Sequence, residues 1–189
     1  FQTLRFMLQR QLSLGTLSAG GATLARFLYS APLVAVLILV YMNATGQAWP
    51  RFGLSFWGYG ALGGVAQILA TVATVRLFQA RNFAVGITFK KTEVMQAVLV
   101  GWVLLGDQVS GWGFAAIGLG LVGVLLLSAP PELVRFDWRD MANRSAGMGL
   151  AAGLLFAISG VSYRGASLSL GLEDPLARAG LTLAAVTAM

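Results

Sequence analysis

Five long apolar blocks, separated by short polar segments, dominate this chain. Each block approaches or exceeds the roughly 20 residues that an α-helix needs to cross about 30 Å of hydrocarbon. The pattern predicts five membrane-spanning helices: Ser18–Met42, Phe52–Phe78, Phe83–Leu105, Ser110–Ala129 and Gly147–Leu168. Two shorter apolar stretches, residues 1–12 and 175–189, are typical of parts of further helices. Because the chain opens without an initiator Met and ends about 15 residues after Pro175 restarts an apolar stretch, we expect a protein truncated at both ends.

The composition of the chain supports a membrane environment for these blocks. Hydrophobic residues make up 57% of the 189 residues, and charged residues only 11%. A soluble domain carries about 25% charged residues. We therefore predict a multi-pass protein of a cell membrane, with the lipid bilayer as its first partner. We expect that membrane to be a bacterial inner membrane.

A polar segment at residues 130–145 divides the chain, and an internal echo connects the two parts. Three short matches make up the echo: Leu4-Arg5-Phe6 with Tyr163-Arg164-Gly165, Ser13-Leu14-Gly15 with Ser169-Leu170-Gly171, and Ala25-Arg26 with Ala177-Arg178. Their spacing corresponds to roughly five spans, which favours a duplicated five-helix unit. An odd number of spans turns the second copy over in the membrane, as in the inverted repeats of many secondary transporters.

Several short motifs lie in the first part of the chain. They are Asn82-Phe83-Ala84-Val85-Gly86, Glu93, Leu104-Leu105-Gly106-Asp107-Gln108-Val109-Ser110, Gly118 and Gly123-Val124-Leu125-Leu126. Together they resemble an EamA-type domain of the drug/metabolite transporter (DMT) superfamily. The resemblance covers most of one repeat, from about Gly15 to Ala129, and the start of a second. Where that family commonly has a Pro after the position of Glu93, this chain has Val94, so we expect its fourth helix to be straighter.

This resemblance implies an all-α fold, a polytopic transmembrane helix bundle. The complete protein would have ten helices, arranged as two inverted five-helix repeats around a central cavity. Residues 1–129 would then hold most of the first repeat, from the end of helix 1 through helix 5. Residues 130–145 would form the loop between repeats, and residues 146–189 would hold helix 6 and part of helix 7. The implied function is transport of a small metabolite or drug-like solute by alternating access, through secondary transport or exchange.

Lys90, Lys91 and Glu93 place three charges inside an otherwise apolar block. A charge at bilayer depth costs roughly 2.5 to 3.5 kcal/mol on insertion scales, so it usually faces a partner or an aqueous cavity. Lys90 and Glu93 are three residues apart and share a helix face, which allows an ion pair, whereas Lys91 points about 100° away. We predict that all three line a solute pathway. The alternative is that the lysines snorkel to a nearby membrane surface.

A polar stripe in the Phe52–Phe78 block supplies further candidates. Tyr59, Gly63, Gln67 and Thr71 recur every four residues and therefore share one helix face. We predict that Tyr59, Gln67 and Thr71 also line the solute pathway. An interhelical hydrogen bond from Gln67, worth under roughly 1 to 2 kcal/mol, is the alternative.

Two other features indicate architecture rather than solute binding. Gly149, Gly153 and Ala157 form a stripe of small residues at four-residue spacing, which favours close packing of helices. Asp107 follows the end of a predicted helix, and we interpret it as a loop cap and not as a proton carrier.

The residue types that are missing limit the chemistry. The chain has no Cys and no His, so thiolate nucleophiles, imidazole bases and the usual zinc and haem ligands are excluded within it. We expect no enzymatic activity, no metal and no cofactor. A membrane-embedded enzyme acting on lipid-type substrates is one alternative, and a non-transporting helical membrane subunit is another.

The net charge of +6 does not indicate a nucleic-acid partner, because the 13 basic residues are scattered at the ends of apolar blocks. The expected partners are a small-molecule solute and, as a possibility, a second copy in a homodimer. Orientation stays open: the Arg-rich loops favour one side as cytoplasmic by the positive-inside rule, and the topology of the resembling family implies the reverse.

Overall fold

The computed structural model describes residues 19–78, 83–128 and 144–189 of the chain. Within these ranges the secondary structure is helical, with no β-strand. The helices are α1 (Ala19–Thr45), α2 (Leu54–Phe78), α3 (Phe83–Lys90), α4 (Glu93–Leu105), α5 (Gly111–Ser128), α6 (Arg144–Ser169) and α7 (Pro175–Ala188). The predicted stretch 1–12 and most of the loop 130–145 lie outside the described residues.

Four of the five predicted apolar blocks appear as single helices, whose ends differ from the prediction by a few residues. Three segments are long and apolar enough to cross a membrane: Leu28–Thr45 in α1, Leu54–Leu77 in α2, and the whole of α6. Large apolar side chains also cover outer surfaces, for example Leu33 on α1 (62% exposed) and Leu119 on α5 (75% exposed). An apolar exterior of this extent suits a lipid environment. The described part of the chain therefore has the features of a multi-pass helical membrane protein.

The predicted helix Phe83–Leu105 is interrupted at Lys91 and Thr92, so the expectation of a straighter helix without Pro is wrong. The Lys91 and Thr92 N–H groups donate to Thr88 and Phe89 carbonyls at 3.1 Å, which is the tighter i to i−3 pattern of a 3₁₀ turn. The Thr92 hydroxyl also donates to the Phe89 carbonyl at 2.7 Å. A Thr side chain that bonds its own backbone in this way competes with the regular helical pattern.

The central element of the described fold is α6, which contacts α2, α3 and α4. It comes very close to α3, where a Cβ at Gly149 would lie 2.0 Å from the backbone oxygen of Gly86. One turn later, Gly153 faces the break between α3 and α4, and Ala157 is 2% exposed. The packing role predicted for the stripe Gly149, Gly153 and Ala157 is therefore confirmed.

Beside this group, α1 packs against α7. Their contact is tight at Gly180, where a Cβ would lie 2.5 Å from the Ile38 side chain. A polar cluster joins the ends of the two helices around Asp174, the N-cap of α7. Tyr41 and Gln47 donate to one Asp174 carboxylate oxygen at 2.8 and 2.5 Å, and the Leu176 N–H donates to the other at 2.8 Å.

The Asp174 cluster predicts an acid-sensitive contact between α1 and α7. Hydrogen bonds from Gln47, then from Tyr41 and the Leu176 N–H, hold the pKa of the Asp174 carboxyl below its usual value. The contribution of a lowered pKa to stability is complete above the unfolded-state pKa of about 3.9, and it is lost as pH falls through the folded-state value. We expect melting temperatures, followed by circular dichroism from about pH 7 to about pH 2.5, to fall less for Asp174→Asn than for the native protein.

Asn retains the capping oxygen at this position but does not titrate. Glu173→Gln is the matched control, because Glu173 is exposed and lies next to Asp174. Its melting curve should follow that of the native protein at every pH. Parallel profiles for native and Asp174→Asn protein down to the lowest pH would contradict the assignment.

Candidate functional site

Lys90 and Glu93 form an ion pair across the break between α3 and α4. The Lys90 Nζ lies 3.2 Å from the Glu93 Oε2 and 4.3 Å from the centroid of the Phe156 ring. The Lys90 side chain is 18% exposed and the Glu93 side chain 36% exposed. The predicted shared face and pairing are confirmed. Lys91 lies in the turn beside the pair and makes contacts of its own.

The position of this pair along α6 gives its depth. A Cβ at Gly153 would lie 3.1 Å from the Lys90 carbonyl oxygen and 3.5 Å from the Glu93 backbone nitrogen. Gly153 is about 14 Å from the start of α6, and the whole helix of 26 residues is about 39 Å long. Because the hydrocarbon layer is about 30 Å thick, a spanning α6 places the pair well inside it. This depth favours pairing over snorkelling.

An open groove of about 490 Å³ runs between α4 and α6 beside the ion pair. Its walls are mainly apolar, with Val94, Ala97 and Val98 from α4 and Val161 from α6. Glu93 and Phe156 also line it, as do Asp107 and Arg164. The groove is therefore mainly apolar, and ionisable groups from two ion pairs line it.

The second ion pair joins the Asp107 carboxylate, through Oδ2, to Nη1 of Arg164. Asp107 follows Gly106, whose φ of +69° ends α4 in the left-handed conformation that favours glycine. The Gly106 N–H donates to the Trp102 carbonyl at 3.1 Å, and the Asp107 N–H donates to the Gly101 carbonyl at 3.3 Å. The Gly106 bond is the 5→1 bond of the αL C-cap motif. The loop-cap role predicted for Asp107 is thus confirmed for its backbone, and its side chain connects α4 to α6.

The stripe Tyr59, Gly63, Gln67 and Thr71 faces α6 from the side of α2. Ser159 donates a hydrogen bond to the Gln67 side chain at 2.9 Å. Thr71 is 2% exposed, and its hydroxyl donates to the Gln67 carbonyl at 2.7 Å. The Tyr59 hydroxyl approaches the Leu104 carbonyl at 3.5 Å.

The structure therefore separates the predicted pathway residues into two groups. Lys90 and Glu93 are together, with Lys91 adjacent. Gln67 and Thr71 belong to the contact between α2 and α6, and none of Tyr59, Gln67 and Thr71 lines the α4–α6 groove. Contact of these three residues with a solute stays a prediction.

Arg164 and Phe156 line the groove, and neither was among the predicted pathway residues. Arg164 is a charged residue in an apolar helix, and the rule that singled out Lys90 also applies to it. Phe156 gives no such signal, because an aromatic residue in an apolar helix is ordinary. Only the three-dimensional structure places its ring against Lys90.

The groove offers ionisable and apolar groups but no evident metal ligands. Across residues 19–78, 83–128 and 144–189, no group of three or more Asp, Glu, His or Cys side chains is placed to hold a metal ion. The fold and site thus define a class: an all-helical protein of the membrane-spanning type with paired charges beside an apolar groove. Comparisons of the chain with family models, curated proteins and solved structures give no match.

Proposed function

We propose that this protein is a membrane transporter that moves a small metabolite or drug-like solute by alternating access. The observation that carries the proposal is the helix break at Lys91 and Thr92, with the Lys90–Glu93 ion pair beside a groove. Discontinuous helices with polar groups near the bilayer midplane are a recurring way to build solute sites in secondary transporters. Irregular backbone at that depth is tolerated where it is buried in protein or lines a cavity.

The alternative function, a non-transporting helical subunit, would need these charges only for assembly with a partner. That role does not account for an open groove at this site. Glu93 is about one-third exposed and lines the groove, whereas Lys90 is less exposed. The pairing partly neutralises the cost of both charges, and the exposed part of Glu93 can contact a solute. Charged residues inside membrane proteins usually mark such pathways.

The packing of α1 against α7 supports the inverted-repeat part of the proposal. The sequence echo matches Ala25-Arg26 of α1 with Ala177-Arg178 of α7. Helices related by a two-fold axis can pack against each other at that axis, and these two helices do pack together. The complete transporter would then have ten helices in two five-helix repeats of the EamA type, in a bacterial inner membrane. Gating would occur by rocking of one repeat against the other.

Flux in proteoliposomes tests this function. We expect the full-length protein to show saturable uptake for a member of a panel of amino acids, nucleosides and cationic drugs, and Glu93→Gln to reduce it at least tenfold. The reason is that Gln keeps the shape of Glu93 but removes the charge that the solute would meet. Initial rates at several solute concentrations separate a loss of affinity from a loss of turnover.

Glu173→Gln is the matched control, since it removes a carboxylate in an exposed loop away from the groove. Its flux should equal that of the native protein. Native uptake by well-folded Glu93→Gln protein would refute the Glu93 site. No uptake of any solute by well-folded native protein would instead favour a non-transporting subunit or an enzyme.

A further inference from the structure

The α4–α6 groove is polar at its two ends and apolar between them. Glu93 lies at one end, and the Asp107–Arg164 pair lies at the other. The two helices run in the same direction, because Glu93 lies near Gly153 and Leu105 lies near Gly165. The two ends are therefore separated by most of the length of α4.

At the first end, the group available to a ligand is a carboxylate. Lys90 is directed to the Glu93 Oε2 and to the Phe156 ring, and it is not one of the residues that line the groove. The exposed part of Glu93 can accept hydrogen bonds, because an ionised carboxylate has about four acceptor positions. This end fits an ammonium group.

At the second end, the group available is a guanidinium. Arg164 contacts Asp107 through Nη1, and its side chain remains 56% exposed. A guanidinium has five N–H donors arranged to match a carboxylate or phosphate. This end fits an anionic group, which would share Arg164 with Asp107.

The distance between these ends follows from Asp107. A Cβ at Gly101 would lie 3.0 Å from the Asp107 Oδ2, so the second ion pair is at the level of Gly101. Gly101 follows Glu93 by eight residues, which is about 12 Å along a helix. The walls between them are mainly Val and Ala side chains, which favour a methylene chain over peptide or hydroxyl groups.

We infer that the groove binds a dipolar solute with an ammonium and a carboxylate at opposite ends of a methylene chain, as in an ω-amino acid of intermediate length. The inference rests on the proposed transport function and names the substrate class for that same groove. Glu93 binds the ammonium and Arg164 binds the carboxylate. An α-amino acid, whose two charges are adjacent, reaches only one end.

Calorimetric titration of the purified full-length protein with ligands of graded length tests the inference. The series comprises norleucine, γ-aminobutyrate, ε-aminohexanoate, ω-aminooctanoate and ω-aminododecanoate. Each ω-amino acid is compared with the unbranched alkylamine of the same chain length, because every added methylene strengthens binding about fourfold by burial alone, without any second charge. We expect the carboxylate to improve binding at least tenfold over the alkylamine for ε-aminohexanoate or ω-aminooctanoate, and much less for γ-aminobutyrate.

Two variants assign the ends of the ligand. Glu93→Gln should weaken both the ω-amino acid and the alkylamine at least tenfold. Arg164→Gln should remove the advantage of the carboxylate, so that the ω-amino acid and the alkylamine bind with similar affinity, and circular dichroism checks that the variant is folded. The matched controls are Glu173→Gln, in the exposed loop before α7, and Arg144→Gln, at the exposed start of α6. Both controls should bind like the native protein.

Three results would overturn the inference. The first is a carboxylate advantage that does not depend on chain length, and the second is an advantage that survives in Arg164→Gln. The third is a co-purified phospholipid, seen by mass spectrometry, that is lost in Arg164→Gln but kept in Glu93→Gln, since the groove would then hold a lipid. Binding of the series without flux leaves the site intact and refutes the transporter. Saturable flux of another solute without binding of the series supports the transporter and refutes the ω-amino acid site.

Discussion

Replacing Gly149 with Ala is expected to push α3 away from α6 and to destabilise the protein strongly for a change of a single methyl group. The added Cβ would lie 2.0 Å from the Gly86 backbone oxygen and 2.8 Å from its carbonyl carbon. Both opposing atoms are backbone, so no rotamer change can relieve the clash. Overpacking costs about 1 to 3 kcal/mol and occasionally more, and we expect the upper part of that range.

Thermal unfolding in detergent measures this effect. A loss of about 3 kcal/mol corresponds to roughly 6 to 12 °C in melting temperature for a chain of this size. Gly147→Ala is the matched control, because Gly147 lies on the same helix and a Cβ there would meet nothing within 4 Å. Ala should be neutral or stabilising at that position by up to about 1 kcal/mol. Equal melting temperatures for the two variants would show that α3 and α6 do not cross at Gly149.

The apolar pattern predicts most of the helices well, for a physical reason. A hydrophobic block of spanning length has few other stable conformations in lipid, where every backbone polar group must be satisfied internally. The small-residue stripe on α6 likewise predicts where helices come close. The pattern does not predict which helix packs there. The approach of Gly86 to Gly149 depends on contacts between segments far apart in the chain.

The break at Lys91 and Thr92 was missed because the prediction depended on Pro. With Val94 in place of that Pro, the apolar block predicts one straighter helix. The interruption instead involves the Thr92 hydroxyl bonded to the Phe89 carbonyl, together with Gly153, which leaves space for the turn. A Thr next to charged residues is a weak local signal, and its effect depends on the helix packed against it.

The site was predictable only in part. Lys90 and Glu93 were identified because charge is expensive at bilayer depth, and helical spacing correctly placed them together. Arg164 carries the same signal, yet its partner Asp107 lies in a loop, and sequence spacing cannot relate the two. The polar stripe containing Gln67 was correctly placed on one face. However, periodicity alone does not distinguish a face that binds a solute from one that bonds to Ser159.

Removing both charges of the Lys90–Glu93 pair is expected to lower the stability of the protein less than removing one of them does. Transport should nevertheless be lost. In Lys90→Met, the Glu93 carboxylate loses the ammonium that lies 3.2 Å away. In Glu93→Gln, Lys90 loses the carboxylate that lies 3.2 Å away and retains its weaker contact with the Phe156 ring. An uncompensated charge in a spanning helix costs roughly 2.5 to 3.5 kcal/mol, and partial exposure of both side chains lowers this to about 1 to 3 kcal/mol.

Melting temperature and flux, measured on the same four proteins, separate the structural role of the pair from its role in transport. We expect each single variant to melt at a lower temperature than the native protein. The stability loss of the double variant, Lys90→Met with Glu93→Gln, should be smaller than the sum of the two single losses by at least about 1 kcal/mol, which is the coupling energy of the pair. Flux should stay lost in the double variant, because the carboxylate that meets the solute is absent. If the double variant regains both stability and flux, the pair serves folding alone, and the solute site must lie elsewhere. If stability losses simply add, the two side chains do not form an ion pair in the membrane.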